Sequence, residues 1–508
     1  MSYNSIIKQK GIVKNHEGEK AYAMTPEMEL YTAVVTCALS DKFYESKDDR
    51  MNRIADLIRK VDPVFVAKLA VYTRTQMNIR SIPLFLIVEL AKIHNGDSLV
   101  KRTIEQCVLR ADEIMELLMC YQLRNHDGKS IKKLGKLSRQ VQEGLKSAFN
   151  SFDEYQFAKF DRSNLEVKLK DALFIVHPKA ETEKQQAIFD KIVVGGLQTP
   201  YTWETQLSEF GQKKFSTREE KAEALRALWE ELIDSGKLGY MALLRNMVNI
   251  IKANVSREHV EKVAGIISDP ARVATSKQLP FRFLAAYNEL LSSVNSDLSP
   301  IFRRTLESAV TASVSNLKGF DDDTNVLVAA EVSGSMFSRI SPKSSIMHYD
   351  IGILLSMLLK SKCASVVSGM FGDTWKVLDL PWDDVLANTI EMKRREGEVG
   401  YSTNGYKVID YLIENDIKMD KVMMFTDMQM WDSMDNGGHL QKSWAKYRQM
   451  YPEAKLYLFD LNGYGQAPIR LVGDDVTLIA GWSDKIFDIL EALENGEDAI
   501  SQIEKVEI

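Results

Sequence analysis

The chain has 508 residues, of which 45% are hydrophobic and 27% charged, a globular composition too long for one hydrophobic core. Its net charge of −6 conceals an uneven distribution: of 65 Lys and Arg and 71 Asp and Glu, residues 1–320 hold 47 and 40, leaving 18 and 31 for residues 321–508. The basic half is the better candidate for a polyanion, which places the two halves in different domains with different partners. No run approaches the ~20 apolar residues of a membrane helix, and Met1–Lys10 lacks the apolar core of a signal peptide, so a cytoplasmic protein with no membrane contact is expected. Cys37, Cys107, Cys120 and Cys363 form no CxxC pair and read as buried free thiols.

From Thr25 to about Lys318 the pattern is helical. Pro63–Gln76, Ser81–His94, Arg102–Leu118 and Arg218–Ile233 repeat apolar residues every three or four positions, with Asn95-Gly96, Asp127-Gly128, Gly195-Gly196 and Asp269-Pro270 as punctuation. No alternating strand stands out in this stretch. Many short amphipathic helices in succession bury their faces most readily as stacked pairs, the α-solenoid solution, although no fixed-period repeat is evident. Lys132, Lys133, Lys136 and Arg139 form one basic cluster, with Lys132, Lys136 and Arg139 on one face if a helix forms there. Lys159, Arg162, Lys168 and Lys170 form a second, leading to His177-Pro178-Lys179. Solvated helix faces account for such runs as well as phosphate contacts do. Arg245 and Asn246, in an otherwise apolar helix, read as structural.

At Asp321-Asp322-Asp323 the register changes. Strand-like Asn325–Val332, Ala364–Phe371, Trp375–Leu380, Lys421–Thr426, Lys455–Phe459 and Val476–Ala480 alternate with helical His348–Lys362, Gly405–Asn415, Ser443–Tyr451 and Asp484–Asn495. That alternation predicts a mostly parallel, doubly wound α/β domain over 321–508, with ligand loops at the carboxyl ends of its strands. These ends are Glu331–Met336, the loop around Thr403, and Asp427. No Ser-His-Asp, Cys-His, P-loop or HExxH arrangement is present, so a non-enzymatic role is expected.

Glu331-Val332-Ser333-Gly334-Ser335 resembles the Asp-x-Ser-x-Ser signature of von Willebrand A domains, with Thr403 and Asp427 following in the family's order. The resemblance implies a MIDAS-type site for a divalent cation, usually Mg²⁺, held by Ser333, Ser335 and Thr403, with Asp427 on a coordinated water. Glu331 replaces the usual Asp, and its extra methylene brings its carboxylate toward the cation's place.

Ahead of that domain, Tyr72-Thr73-Arg74, Ile79-Arg80-Ser81-Ile82-Pro83, Asp171–Lys179, Gly239–Asn246 and Pro280–Leu284 resemble, in order, the motifs of the TROVE module of Ro-type ribonucleoproteins. The match covers nearly the whole chain and is similar to bacterial or phage Ro proteins. It implies a ring of HEAT-like helical repeats over 1–320, closed by the von Willebrand A domain. Small structured Y-like RNA would bind the basic outer surface, and single-stranded 3′ ends of misfolded RNA the central hole, for RNA quality control or processing. It further implies a monomeric protein within the ribonucleoprotein and a partner exoribonuclease such as polynucleotide phosphorylase. The residues so implicated in RNA binding are Lys132, Lys133, Lys136, Arg139, Lys159, Arg162, Lys170 and His177. Phe174 stands where the family has Arg, one phosphate contact fewer. The alternative is a protein-interaction or assembly scaffold with no RNA role.

Overall fold

The computed structural model describes residues 12–508 apart from 17, 38–45, 126–136, 162–164, 294–295, 314–323, 341–343, 364, 382, 431–437, 472–474, 482–488 and 491–498. Its contacts divide the chain into two compact units, each discontinuous in sequence: Met1–Lys47 with Thr202–Asp498, and Asp48–Tyr201 with Ala499–Ile508.

The chain begins with two strands, β1 (Ile12–Lys14) and β2 (Lys20–Ala23), paired antiparallel with Ile12 opposite Tyr22. These strands are too short to be read from the sequence. The helix α1 (Pro26–Val35) follows, with Thr25 accepting the Met28 amide and Pro26 in the first turn, where its missing N–H is harmless.

The second unit is helical: α2 (Lys47–Ile58), α3 (Pro63–Thr75), α4 (Ser81–Ile93), α5 (Leu99–Cys107), α6 (Ala111–Asn125), α7 (Arg139–Asn150), α8 (Glu154–Phe160), α9 (Leu169–Val176) and α10 (Glu183–Val194). The helices pack on near neighbours in sequence, α3 on α4 and α5, α4 on α6, and α5 on α7. Leu84, Leu86, Ile87, Leu117 and Leu118 are fully buried among them. The single helix expected over Arg102–Leu118 is instead two. The fully buried Glu113 carboxylate accepts the amides of Leu109 (2.8 Å) and Arg110 (3.1 Å), ending one helix and starting the next. The same carboxylate takes Arg74 at 2.9 Å and Arg80 at 3.1 Å, while Arg74 Nε donates to the Cys107 carbonyl at 3.1 Å. The arginines of the first motif are therefore a structural ion cluster tying α3 and α4 to α6. The helix Ala499–Glu504 packs against α3, where Tyr72 donates to Gln502 (3.3 Å) and Lys68 to the Glu504 carbonyl.

The other unit combines α11 (Trp203–Gln212), α12 (Arg218–Asp234), α13 (Tyr240–Lys252), α14 (Arg257–Ser268), α15 (Pro270–Ser276), α16 (Pro280–Ser293) and α17 (Ser299–Ser313) with an α/β sheet. Its strands are β3 (Asn325–Glu331), β4 (Ser365–Phe371), β5 (Trp375–Val377), β6 (Lys421–Thr426), β7 (Lys455–Asp460) and β9 (Val476–Ala480), in spatial order β5-β4-β3-β6-β7-β9. All neighbours are parallel except β5 against β4. Every residue of β6 is buried, as expected of a strand covered on both faces. The interleaved helices are α18 (His348–Lys362), α19 (Val385–Arg394), α20 (Tyr406–Glu414) and α21 (His439–Met450). The short β8 (Gln466–Ala467) leaves the sheet and pairs with β2. Although the secondary structure changes at about 320, α16 and α17 pack against α18 and α19, and the Glu307 carboxylate accepts the Leu386 and Ala387 amides, both at 2.9 Å. Most of the expected helix Asp484–Asn495 lies outside the described residues. Among the described residues no helix is long and apolar enough to cross a membrane.

The described cysteines are free: Cys37, Cys107 and Cys363 are buried and Cys120 half-buried. Burial pushes the Cys120 and Cys363 thiols up to about 12, leaving little thiolate for reaction.

Candidate functional site

From β3 the chain crosses to β4 on one side and returns to β6 on the other, so the switch point of the sheet lies between β3 and β6. Glu331 ends β3 there, and Thr426 and Asp427 end β6. The Glu331 carboxylate is fully buried and accepts the hydroxyls of Ser333, through one oxygen, and Thr426 (2.5 Å), through the other. Ser333 and Ser335 hydroxyls stand 3.0 Å apart. Thr403 arrives on a loop whose Asn404 amide donates to the Gly372 carbonyl (3.1 Å), and its own hydroxyl donates to the Gln429 carbonyl at 3.1 Å. Asp427 accepts the Gln429 amide at 2.9 Å. Next to it the buried Met428 holds a left-handed φ of 65°, a costly conformation for a non-glycine residue. Burial, and then the nearby Asp427 charge, push the Glu331 carboxyl well above the usual carboxylate range.

The five sequence-expected residues Glu331, Ser333, Ser335, Thr403 and Asp427 thus occupy neighbouring loops at one end of the sheet. Their donor set is hard oxygen throughout, the chemistry of Mg²⁺ or Ca²⁺ sites. It is rich in hydroxyls rather than charge, and among the described residues no three His, Cys, Asp or Glu side chains form a metal-holding group. Since each serine hydroxyl has one proton and two lone pairs, Ser333 donating to Glu331 and accepting from Ser335 keeps one lone pair for a cation, and Ser335 keeps both of its own. The residues fit the ion. The first strands, not anticipated from sequence, adjoin this site: Asn15 Nδ2 donates to the Met430 carbonyl and the His16 amide to Gln429 Oε1, each at 2.8 Å.

In the helical unit the expected basic residues divide. Lys132, Lys133, Lys136 and Arg162 lie outside the described residues. Arg139 is exposed in the first turn of α7, beside a cleft of about 410 Å³ shared with His94, Lys101 and Glu143. Lys159 is exposed on α8, its ammonium 5.7 Å from the Phe160 ring and 6.0 Å from that of Tyr155. Lys170 is exposed on α9. His177 ends that helix in a left-handed conformation (φ 50°), its amide donating to Leu173 and its ring in solvent. Sequence reading missed Arg110, whose guanidinium lies 4.6 Å from the Phe160 ring while pairing with Asp112. It also read Arg245 and Asn246 alike, as structural. Asn246 is buried, donating to the Ala242 carbonyl at 2.8 Å, but Arg245 is exposed, and its charge adds to burial in lowering the pKa of Arg282. The period of α13 carried that signal, because position 245 falls on the face shared with Asn249 and Lys252.

Family comparison matches the TROVE domain at residues 31–228 and 197–319, more than half of the chain. The crystal structure of the Deinococcus radiodurans RO (RSR) protein is similar in fold, with a TM-score of 0.60 at 17% identity over 93% of this chain and 100% of that one. Telomerase protein component 1 of Rattus norvegicus is 23% identical over 317 residues, 47% of this chain and 12% of that protein. Its Mus musculus counterpart is 23% identical over 314 residues, 47% of this chain and 11% of that protein, so the chain spans a small fraction of these relatives' length. The chain belongs to the TROVE-domain family.

Proposed function

We propose that this protein is the RNA-binding component of a Ro-type ribonucleoprotein and that it binds without catalysing a reaction. Family membership supports this, and the observation that carries it is the outward display of Lys159, Lys170 and His177 on α8 and α9. Exposed cations neutralise phosphates with release of counterions, giving affinity that depends on shape and charge rather than sequence. Small structured Y-like RNA on this face, misfolded RNA entering by a single-stranded 3′ end, and an exoribonuclease partner in the cytoplasm complete the reading.

The test uses the full chain. Binding of RNA with a free single-stranded 3′ tail should exceed that of a blunt duplex of equal length. Log K should fall linearly with log[salt], by about 0.7 per phosphate contacted on a single strand. The pair Lys159→Ala and Lys170→Ala should make that slope shallower by roughly one unit or more while leaving the melting temperature unchanged. A flat salt response, or RNA absent from material captured with the protein while another protein is enriched, would favour the scaffold alternative.

The α/β domain is read as a von Willebrand A domain whose cation would be held by Ser333, Ser335 and Thr403, with Asp427 supplying charge and Glu331 orienting Ser333. The bound ion would offer coordination to a partner's carboxylate. Ion binding stabilises only the folded state, by about 2.7 kcal/mol when the ion is at 100 times Kd. Millimolar Mg²⁺ or Ca²⁺ is therefore expected to raise the melting temperature of the natural chain by a few degrees and that of Asp427→Ala not at all. Glu331→Asp is expected to enlarge the rise, since the shorter carboxylate gives the ion more room. No response in either the natural chain or Glu331→Asp would leave these loops purely structural.

A further inference from the structure

Helix α9 buries Leu169, Ala172, Leu173 and Val176 on the side that packs against α6 and α7. Its opposite face presents Lys170, Phe174 and, one turn on, His177. Phe174 is 49% exposed, so a large aromatic surface that could have been buried faces water. A single exposed apolar side chain is ordinary on a protein surface. Three features distinguish this one. The Lys170 ammonium sits 6.0 Å from the ring centroid, within reach of a cation–π contact. The turn carrying His177 is fixed from α7, where Gln142 donates to the Val176 carbonyl (3.1 Å) and Asn150 Nδ2 to the Lys179 carbonyl (3.0 Å). Asp171, also exposed, accepts the Lys168 amide at 3.2 Å in the first turn, and the exposed Glu166 and Glu181 lie outside the helix, whereas Lys170 and His177, one turn to either side of the ring, are exposed on its own face. The surroundings of the ring thus favour a polyanion over an apolar protein surface.

We propose that Phe174 is a stacking platform for an unpaired nucleobase, with Lys170 and His177 holding the phosphates on either side of it. The inference rests on the RNA-binding reading above and narrows its ligand to RNA with unstacked bases, in a loop, bulge or single-stranded end. A duplex keeps its bases stacked on one another and offers this ring nothing but backbone. Stacking needs a π-face but no particular base, so this contact adds affinity without sequence preference. Where an arginine would add one phosphate contact, phenylalanine adds a contact insensitive to salt.

The experiment compares a stem–loop RNA with a fully paired duplex of the same length, bound to the full-length natural protein, Phe174→Leu and Phe174→Trp. Phe174→Leu is expected to lose roughly five- to hundred-fold in affinity for the stem–loop, with an unchanged salt slope and unchanged duplex binding. Phe174→Trp should bind the stem–loop at least as well as the natural protein. 2-Aminopurine in the loop should report altered stacking with the natural protein and Phe174→Trp, and none with Phe174→Leu. Stem–loop binding by Phe174→Leu equal to that of the natural protein, or an equal loss on the duplex, overturns the stacking role. If the natural protein binds neither RNA, the RNA-binding reading falls as well. Salt-sensitive binding by all three proteins with equal affinity removes the stacking role alone.

Discussion

Glu113→Ala is expected to destabilise the helical unit by about 3–5 kcal/mol, the cost of removing one partner from a buried ion pair. The carboxylate is fully buried and receives Arg74, Arg80 and two backbone amides, so its loss strands a buried guanidinium and frees the turn between α5 and α6. All seven tryptophans lie within residues 202–498, whereas the helical unit has none. In urea, far-UV circular dichroism of Glu113→Ala should therefore begin to fall well before the tryptophan fluorescence changes. Replacing the pair together, Arg74→Met with Glu113→Leu, should cost less than Glu113→Ala, because no unpaired charge remains inside. Coincident, unshifted transitions in Glu113→Ala would falsify the structural role given to this cluster.

A second large effect is expected at Gly372, just beyond β4. A Cβ there would lie 2.1 Å from the Gly400 carbonyl oxygen and 3.0 Å from that of Val399, both backbone atoms that cannot rotate away. The Gly372 carbonyl also receives the Asn404 amide, so the strain falls on the loop that carries Thr403. Gly372→Ala should lose about 1–3 kcal/mol or more from overpacking. It should also lose the divalent-ion response in melting temperature that the intact loops are proposed to give. Gly334 lies in the Ser333–Ser335 loop itself but has open space around it, so Gly334→Ala should melt like the natural chain. Equal melting temperatures for the two variants would contradict the packing described at Gly372.

The sheet was legible because its determinants are local. His348–Lys362, Lys421–Thr426 and Val476–Ala480 form over the residues their apolar patterns mark, since a buried parallel strand or a helix declares itself within a few residues. The break between α5 and α6 was not, because a carboxylate inside the apolar run makes it by capturing amides behind it. Nor was the β1–β2 hairpin, whose Tyr22 finds its partner in Ala467. Periodicity carries no information about such distant pairing. At the sheet's end, the order of Glu331, Ser333, Ser335, Thr403 and Asp427 disclosed the cluster, but not that Glu331 would take up the hydroxyls of Ser333 and Thr426. On the basic face, charge clusters located Lys159 and Lys170, whereas the ring between Lys170 and His177 was read only as an arginine missing.

The interleaving of the two compact units has a consequence for biosynthesis. Strand β2 leaves the ribosome well before its partner, since Gln466 and Ala467, which pair with it, are translated more than four hundred residues later. At about 5–20 residues per second this is a wait of roughly 20 to 90 seconds. The helices of Asp48–Tyr201 likewise emerge complete yet lack the segment Ala499–Ile508 that packs on α3. A nascent chain interrupted before residue 466 therefore has both units begun and neither finished, with an open strand edge and an uncovered helix face exposed to aggregation or to chaperones.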